Sequence, residues 1–201
     1  MDVSHMDGDE YKSGWLLLLA QLPKTPSSAR VTLWRRLRAA GATTLVNSSW
    51  VLPASQAHNE LLGQLQDGVI RQGGTAFVLQ VPDPQPGVHE LIVSRLQADR
   101  GREYDEFAER STALLAEIGK ESGVEKYTFA ELEESEHDLE KLARWLAKIQ
   151  ARDFFPDERA QSAVDAMARC QSAVESFAQA VYAAEGVTGS GQQLPDNEPD
   201  S

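Results

Sequence analysis

The sequence predicts an α+β fold: a small sheet-and-helix domain followed by a purely helical half. Three observations carry this. Short unbroken apolar runs alternate with amphipathic stretches up to Val81, and Gly or Pro punctuates each junction. After "PDPQPG" (Pro82–Gly87) the apolar residues follow a helical period only. Charge divides the same way: Tyr11 to Gln72 holds seven Lys/Arg against two acids, whereas Glu103 onward holds nine against twenty-two, in a chain of formal net charge -12.

The elements follow in order. "WLLLLAQL" (Trp15–Leu22), stopped by Pro23, reads as a buried strand. Thr25 is placed to cap the next helix, with Pro26 at its first position and Gly41 closing it. Leu33, Trp34, Leu37 and Ala40 form its expected core face. "TTLVNSSWVLP" reads as a hairpin bent at Asn47-Ser48-Ser49. Ser55 starts a second helix that ends at Gly73-Gly74, and "TAFVLQV" is the last strand. The order β-α-β-β-α-β is that of a ferredoxin-like domain. The expected boundaries are a flexible leader over 1–13, the ferredoxin-like domain over 14–82, a helical subdomain over 83–186 and a disordered tail over 187–201.

"VHELIVSRL" fits either an edge strand or a helix start. About three helices follow. Tyr104, Phe107, Leu114, Leu115 and Ile118 mark the first, up to Gly123. Thr128-Phe129-Ala130-Glu131 is a capping box, with Tyr127 and Leu132 as its staple. Leu132, Leu139, Leu142, Leu146 and Ile149 form that helix's apolar stripe. Pro156 opens the last helix, with Val164, Met167, Val174, Phe177 and Val181 facing inward.

Composition narrows the function classes. The longest apolar run is too short to span a bilayer, so no membrane role is expected. A single cysteine, Cys170, allows no internal disulfide and makes a cytoplasmic location the default; on its apolar stripe it reads as a buried structural thiol. His137 stands four residues after Glu133, but acids lead and bases follow along that helix. Surface pairs such as Glu140–Arg144 are the simpler reading, and no metal or cofactor is assigned. We find no Gly-rich phosphate loop, Ser-His-Asp spacing or Cys-x-x-Cys, so no catalytic residue is named and no enzyme is expected.

The basic stretch "SSARVTLWRRLRAAGA" (Ser27–Ala42) supplies the candidate sites. Arg30 precedes Trp34 and Leu37 at helical spacing and so points along the apolar stripe. With Lys24, Ser27 and Ser28 at the helix start, it fits an oxyanion pocket; a salt bridge to an acid of the second half is the plainer reading. Arg35, Arg36 and Arg38 lie around the rest of the helix, as a solvated face or as phosphate contacts to nucleic acid.

The string "WLLLLAQLPKTPSSARVTLWRRLRAAGATTLVNSSWVLP" resembles the N-terminal domain of the chromate-resistance regulator (ChrB) family, as do "REYDEF", "YTFAELEESEHDLEKLARWLAKIQARDFF" and the helix that follows. The likeness covers Trp15 to Ala184. It implies a non-enzymatic transcriptional regulator or sensor, with chromate or a similar oxyanion as ligand, operator DNA as partner and a homodimer as its state. The layout is more distantly similar to the middle domain of phenylacetate-degradation repressors and to small CRISPR-associated nucleases. The latter carry an aspartate at the end of the first strand, where this chain has "AQLP". The alternative from another class is a protein-interaction module that dimerises without binding DNA or chromate, through an open sheet edge or its acidic helices.

Overall fold

A computed structural model describes residues 14–24, 27–82 and 84–186. The proposed Thr25 cap and Pro26 lie outside these, as do the leader and the tail. By its contacts the chain divides into two units. The first runs to Asp105 and includes Ala147–Gln161; the second comprises Glu106–Leu146 and the chain from Ser162.

The first unit holds four strands: β1 (Trp15–Gln21), β2 (Thr43–Thr44), β3 (Ser49–Pro53) and β4 (Thr75–Val81). Their order is β2-β3-β1-β4 and every pairing is antiparallel. With α1 (Ser28–Ala39) after β1 and α2 (Gln56–Arg71) after β3, this is the ferredoxin-like βαββαβ arrangement. Alternation along β1 splits its side chains between two clusters. Leu16 and Leu18 join Leu37, Leu52, Leu62, Leu65 and Val69 in one. Trp15, with Leu17 at its margin, joins Val51, Ile92 and Leu96 in the other.

Both α1 and α2 end on a left-handed glycine. At Gly41 (φ 85) the amide of Ala42 returns to the Leu37 carbonyl at 3.0 Å, and at Gly73 (φ 74) that of Gly74 returns to Val69 at 3.0 Å. Gly41 is required twice over, because a side chain there would also meet the Arg152 carbonyl and the Phe154 ring, each at 2.9 Å.

Three long helices complete the described chain: α3 (Pro86–Gly123), α4 (Phe129–Gln150) and α5 (Glu158–Ala184). "VHELIVSRL" is therefore helical, the beginning of α3. In the second unit Phe107, Leu114, Ile118, Leu132, Leu142, Leu146, Cys170, Val174, Phe177 and Val181 are buried. Thr128 Oγ1 accepts from the Glu131 amide at 3.4 Å, one half of the capping box. The Glu131 carboxylate turns to Lys126 instead of completing the box.

Two expected core residues are corrected. Trp34 is 53% exposed and Val164 is 39% exposed. On α1 the inward stripe is Ala29, Leu33, Leu37 and Ala40, and at about 100° per residue Trp34 falls roughly 100° from its centre. Ala29, too small to stand out in the sequence, carries that stripe into the first turn of α1.

Candidate functional site

The first unit gathers charge where the end of α1, the middle of α3 and the α4–α5 connection approach each other. Asp99, on α3, is its anionic anchor. It accepts from Arg38 Nη1 at 2.7 Å and from Thr43 Oγ1 at 2.8 Å, and it also pairs with Arg102. These bonds tie the last turn of α1 and the β2 strand to α3 across more than fifty residues of sequence. Arg152 makes a second tie. Its Nη2 meets Glu103 Oε2 at 2.5 Å and its Nε donates to the Lys148 carbonyl at 2.8 Å.

Arg100 lies between these two ties, and only 3% of its side chain is exposed. Its Nη1 is 2.8 Å from Glu103 Oε1, close enough for charge pairing but misaligned for a hydrogen bond. Nε, Nη1 and Nη2 all lack a hydrogen-bond acceptor. Burial pulls the Arg100 pKa below the ordinary arginine value; Glu103 opposes this, while Arg152 and Arg38 add to it. Three unmatched buried donors are costly, and such groups ordinarily meet a water or an ion. The surrounding side chains are more open, with Arg38 29%, Glu103 21% and Arg152 20% exposed.

The neighbouring groups are fully engaged. Tyr104 donates to Asp153 at 2.9 Å, and burial, then that bond, raise the tyrosine pKa. Asp157 receives Arg159 through Nη2 at 2.6 Å and through the Arg159 amide at 2.9 Å. The Arg159 guanidinium lies over Gly101, where any Cβ would collide with it. Glycine inside a helix is unfavourable by about 1 kcal/mol relative to Ala, and a side chain here would displace only the tip of the flexible Arg159.

The residues singled out in the sequence are distributed differently. Arg30 is exposed, and its Nη1 donates to the carbonyls of Pro23 (2.8 Å) and Lys24 (2.7 Å). It clamps the β1–α1 connection, which is neither the core-facing cation nor the salt bridge considered for it. Lys24, Ser27 and Ser28 are exposed beside it, and Ser27 makes no side-chain cap. Arg38 is taken up by Asp99 and leaves the exposed basic face. Arg35 and Arg36 remain on it; Arg36 reaches Gln64 at 3.4 Å, and among the described residues neither pairs with a carboxylate. His137 and Glu133 are exposed, and Glu140–Arg144 forms as a surface pair at 3.3 Å. Cys170 is fully buried, with its thiol pKa raised by that burial.

Asp99, Arg100, Glu103 and Arg152 were not singled out by the sequence. The available signal was "DRGRE" (Asp99–Glu103), in which four charges flank a glycine within a helical pattern.

The family model described as "Protein ChrB, N-terminal" matches residues 30–188, a span that includes both charge ties and Arg100. The chain belongs to this family. Protein ChrB of Cupriavidus metallidurans is 28% identical over 150 residues, which is 73% of this chain. Those residues are 42% of that ChrB protein, so the chain spans about two fifths of its length. Among the described residues of this ChrB-family chain, no helix is long and apolar enough to cross a membrane.

Proposed function

We propose that the chain is a non-enzymatic regulatory module of chromate resistance that responds to an oxyanion in the cytoplasm and contacts DNA. Membership of the ChrB family supports the regulatory class. The ligand class rests on one observation, the buried Arg100 guanidinium, which makes no hydrogen bond although Glu103 lies beside it, and which has Arg38 and Arg152 near it. A tetrahedral dianion offers acceptors in several directions, and charge-assisted bonds to arginine are strong. Gln21, Leu22 and Pro23 stand where the similar CRISPR-type nucleases carry an aspartate, which supports the non-enzymatic reading.

Lys24, Ser27, Ser28 and Arg30 are the competing oxyanion locus, and a single experiment separates the two. Chromate, with sulfate as control, is titrated calorimetrically into wild type, Arg152→Gln, Arg100→Lys and Arg30→Ala, each checked for folding by circular dichroism. The expected result is at least a tenfold loss in Arg152→Gln and Arg100→Lys, and little change in Arg30→Ala. The reverse pattern returns the site to the start of α1; no binding by wild type removes the oxyanion. For DNA, Arg35 and Arg36 are the assigned contacts. An operator gel shift that keeps its salt dependence in Arg35→Ala/Arg36→Ala removes them.

A second reading, a dimerisation module, is favoured by the face of the sheet at its β4 edge. Leu19 pairs with Phe77 and Leu17 with Leu79, and Leu19, Phe77 and Leu79 are 36%, 54% and 46% exposed. Exposed apolar side chains on an edge strand invite pairing with another chain.

A further inference from the structure

A cavity of about 210 Å³ opens between α1 and α2, within the first unit and apart from the Arg100 cluster. Its floor is apolar, formed by Leu22, Leu33, Leu65 and Val69. Arg36 stands on one side and Arg71 on the other, and no carboxylate lines it. Both arginines belong to the last turns of their helices, where the negative end of the helix dipole already favours a cation. That accounts for their charge, but not for the apolar floor between them.

Gly68 forms part of the wall. A Cβ there would meet only the Arg71 guanidinium, 4.0 Å away, so neither packing nor backbone conformation requires glycine. Within a helix glycine is a poor choice. Gly63 of the same helix is equally uncrowded, so what distinguishes Gly68 is its position: a larger side chain would enter the cavity.

We propose that this cavity binds a small organic anion, its apolar body on the Leu33–Leu65–Val69 floor and its carboxylate between Arg36 and Arg71. The pairing follows the usual construction of small-molecule sites, apolar walls with a few polar groups that fix orientation. The volume limits the body to about one ring, below the roughly 300 Å³ at which drug-sized sites begin. Two guanidinium groups without an acid make the site selective for an anion over its neutral isostere. The proposal is independent of the oxyanion reading, because none of the lining residues belongs to the Arg100 cluster.

The test uses the full chain and benzoate, with benzamide and inorganic sulfate as controls, followed by saturation-transfer and amide-shift NMR. Benzoate is expected to bind with a dissociation constant of about 0.1–10 mM, as suits a fragment-sized ligand, and to shift the amides of Leu33, Leu65 and Gly68. Benzamide and sulfate are expected to bind at least tenfold more weakly. Arg36→Gln/Arg71→Gln should weaken benzoate at least tenfold. Gly68→Leu should abolish binding while the chain stays folded, which separates a filled cavity from a collapsed one. No benzoate binding by wild type, equal binding of benzamide, or unchanged binding in Gly68→Leu would each overturn the proposal.

Discussion

The two units differ in their ion pairs. In the second unit three ion pairs are local and wet: Arg110–Glu106, Lys141–Asp138 and Arg144–Glu140 are three or four residues apart on one helix, with both partners well exposed, while Lys126 reaches the buried Glu121. In the first unit two pairs are distant in sequence and partly withdrawn from water. Arg38 reaches Asp99 across 61 positions, and Arg152 reaches Glu103 across 49. A local pair reinforces a helix that already exists, whereas a distant pair selects which elements meet. The distant pairs therefore serve tertiary structure, and the exposed local ones serve only the helix they lie on.

The contrast can be broken by mutation, and the largest effect is expected at Asp99. Asp99→Ala leaves Arg38, Arg102 and the buried Thr43 hydroxyl without their acceptor. It should destabilise the fold by about 3 kcal/mol, the scale for removing one partner of a buried pair, measured by urea unfolding. A loss within experimental error would show that water replaces the carboxylate at no cost.

Asp157 should give a smaller, pH-dependent effect. Arg159 holds its carboxyl below the ordinary value of 3.8, chiefly through the side-chain hydrogen bond. A depressed folded pKa means that the contribution is fully present above the unfolded value and disappears as pH falls through the folded one. The Tm of wild type should therefore exceed that of Asp157→Asn at pH 7, and the gap should close as the pH falls below about 4. Because Arg159 is 39% exposed, screening keeps the contribution below about 1 kcal/mol. A gap unchanged by acid would mean that Arg159 is held by its position over Gly101 and not by charge. Arg144→Ala is the smallest case: loss of its exposed i,i+4 pair should change stability by no more than about 0.5 kcal/mol in the same urea assay.

The same division explains what the sequence made legible. The ferredoxin-like order could be read because Pro23, Gly41, Gly73 and Gly74 mark element ends through local backbone chemistry. The long helices were visible in stripes such as Leu132–Ile149. Trp34 misled because a large apolar residue outweighs a small one by eye, while the buried Ala29 passes unnoticed. The Arg100 cluster was hidden for a different reason. Its members come from α1, β2, α3 and the segment after α4, and nothing in "DRGRE" or "ARDFF" says that the two strings face each other. Arg30 shows the converse: its apparent conflict with the apolar stripe disappears once the guanidinium reaches the Pro23 and Lys24 carbonyls.

Cys170 has a practical consequence. As the chain's only thiol, fully buried among the helices of the second unit and with its ionisation suppressed, it is a chemical clock for that unit. Its rate of alkylation counts openings of the helical core and is silent to events at the sheet. Anything that stabilises the second unit could thus be followed, without any added label, by whether it slows the exposure of that one sulfur atom.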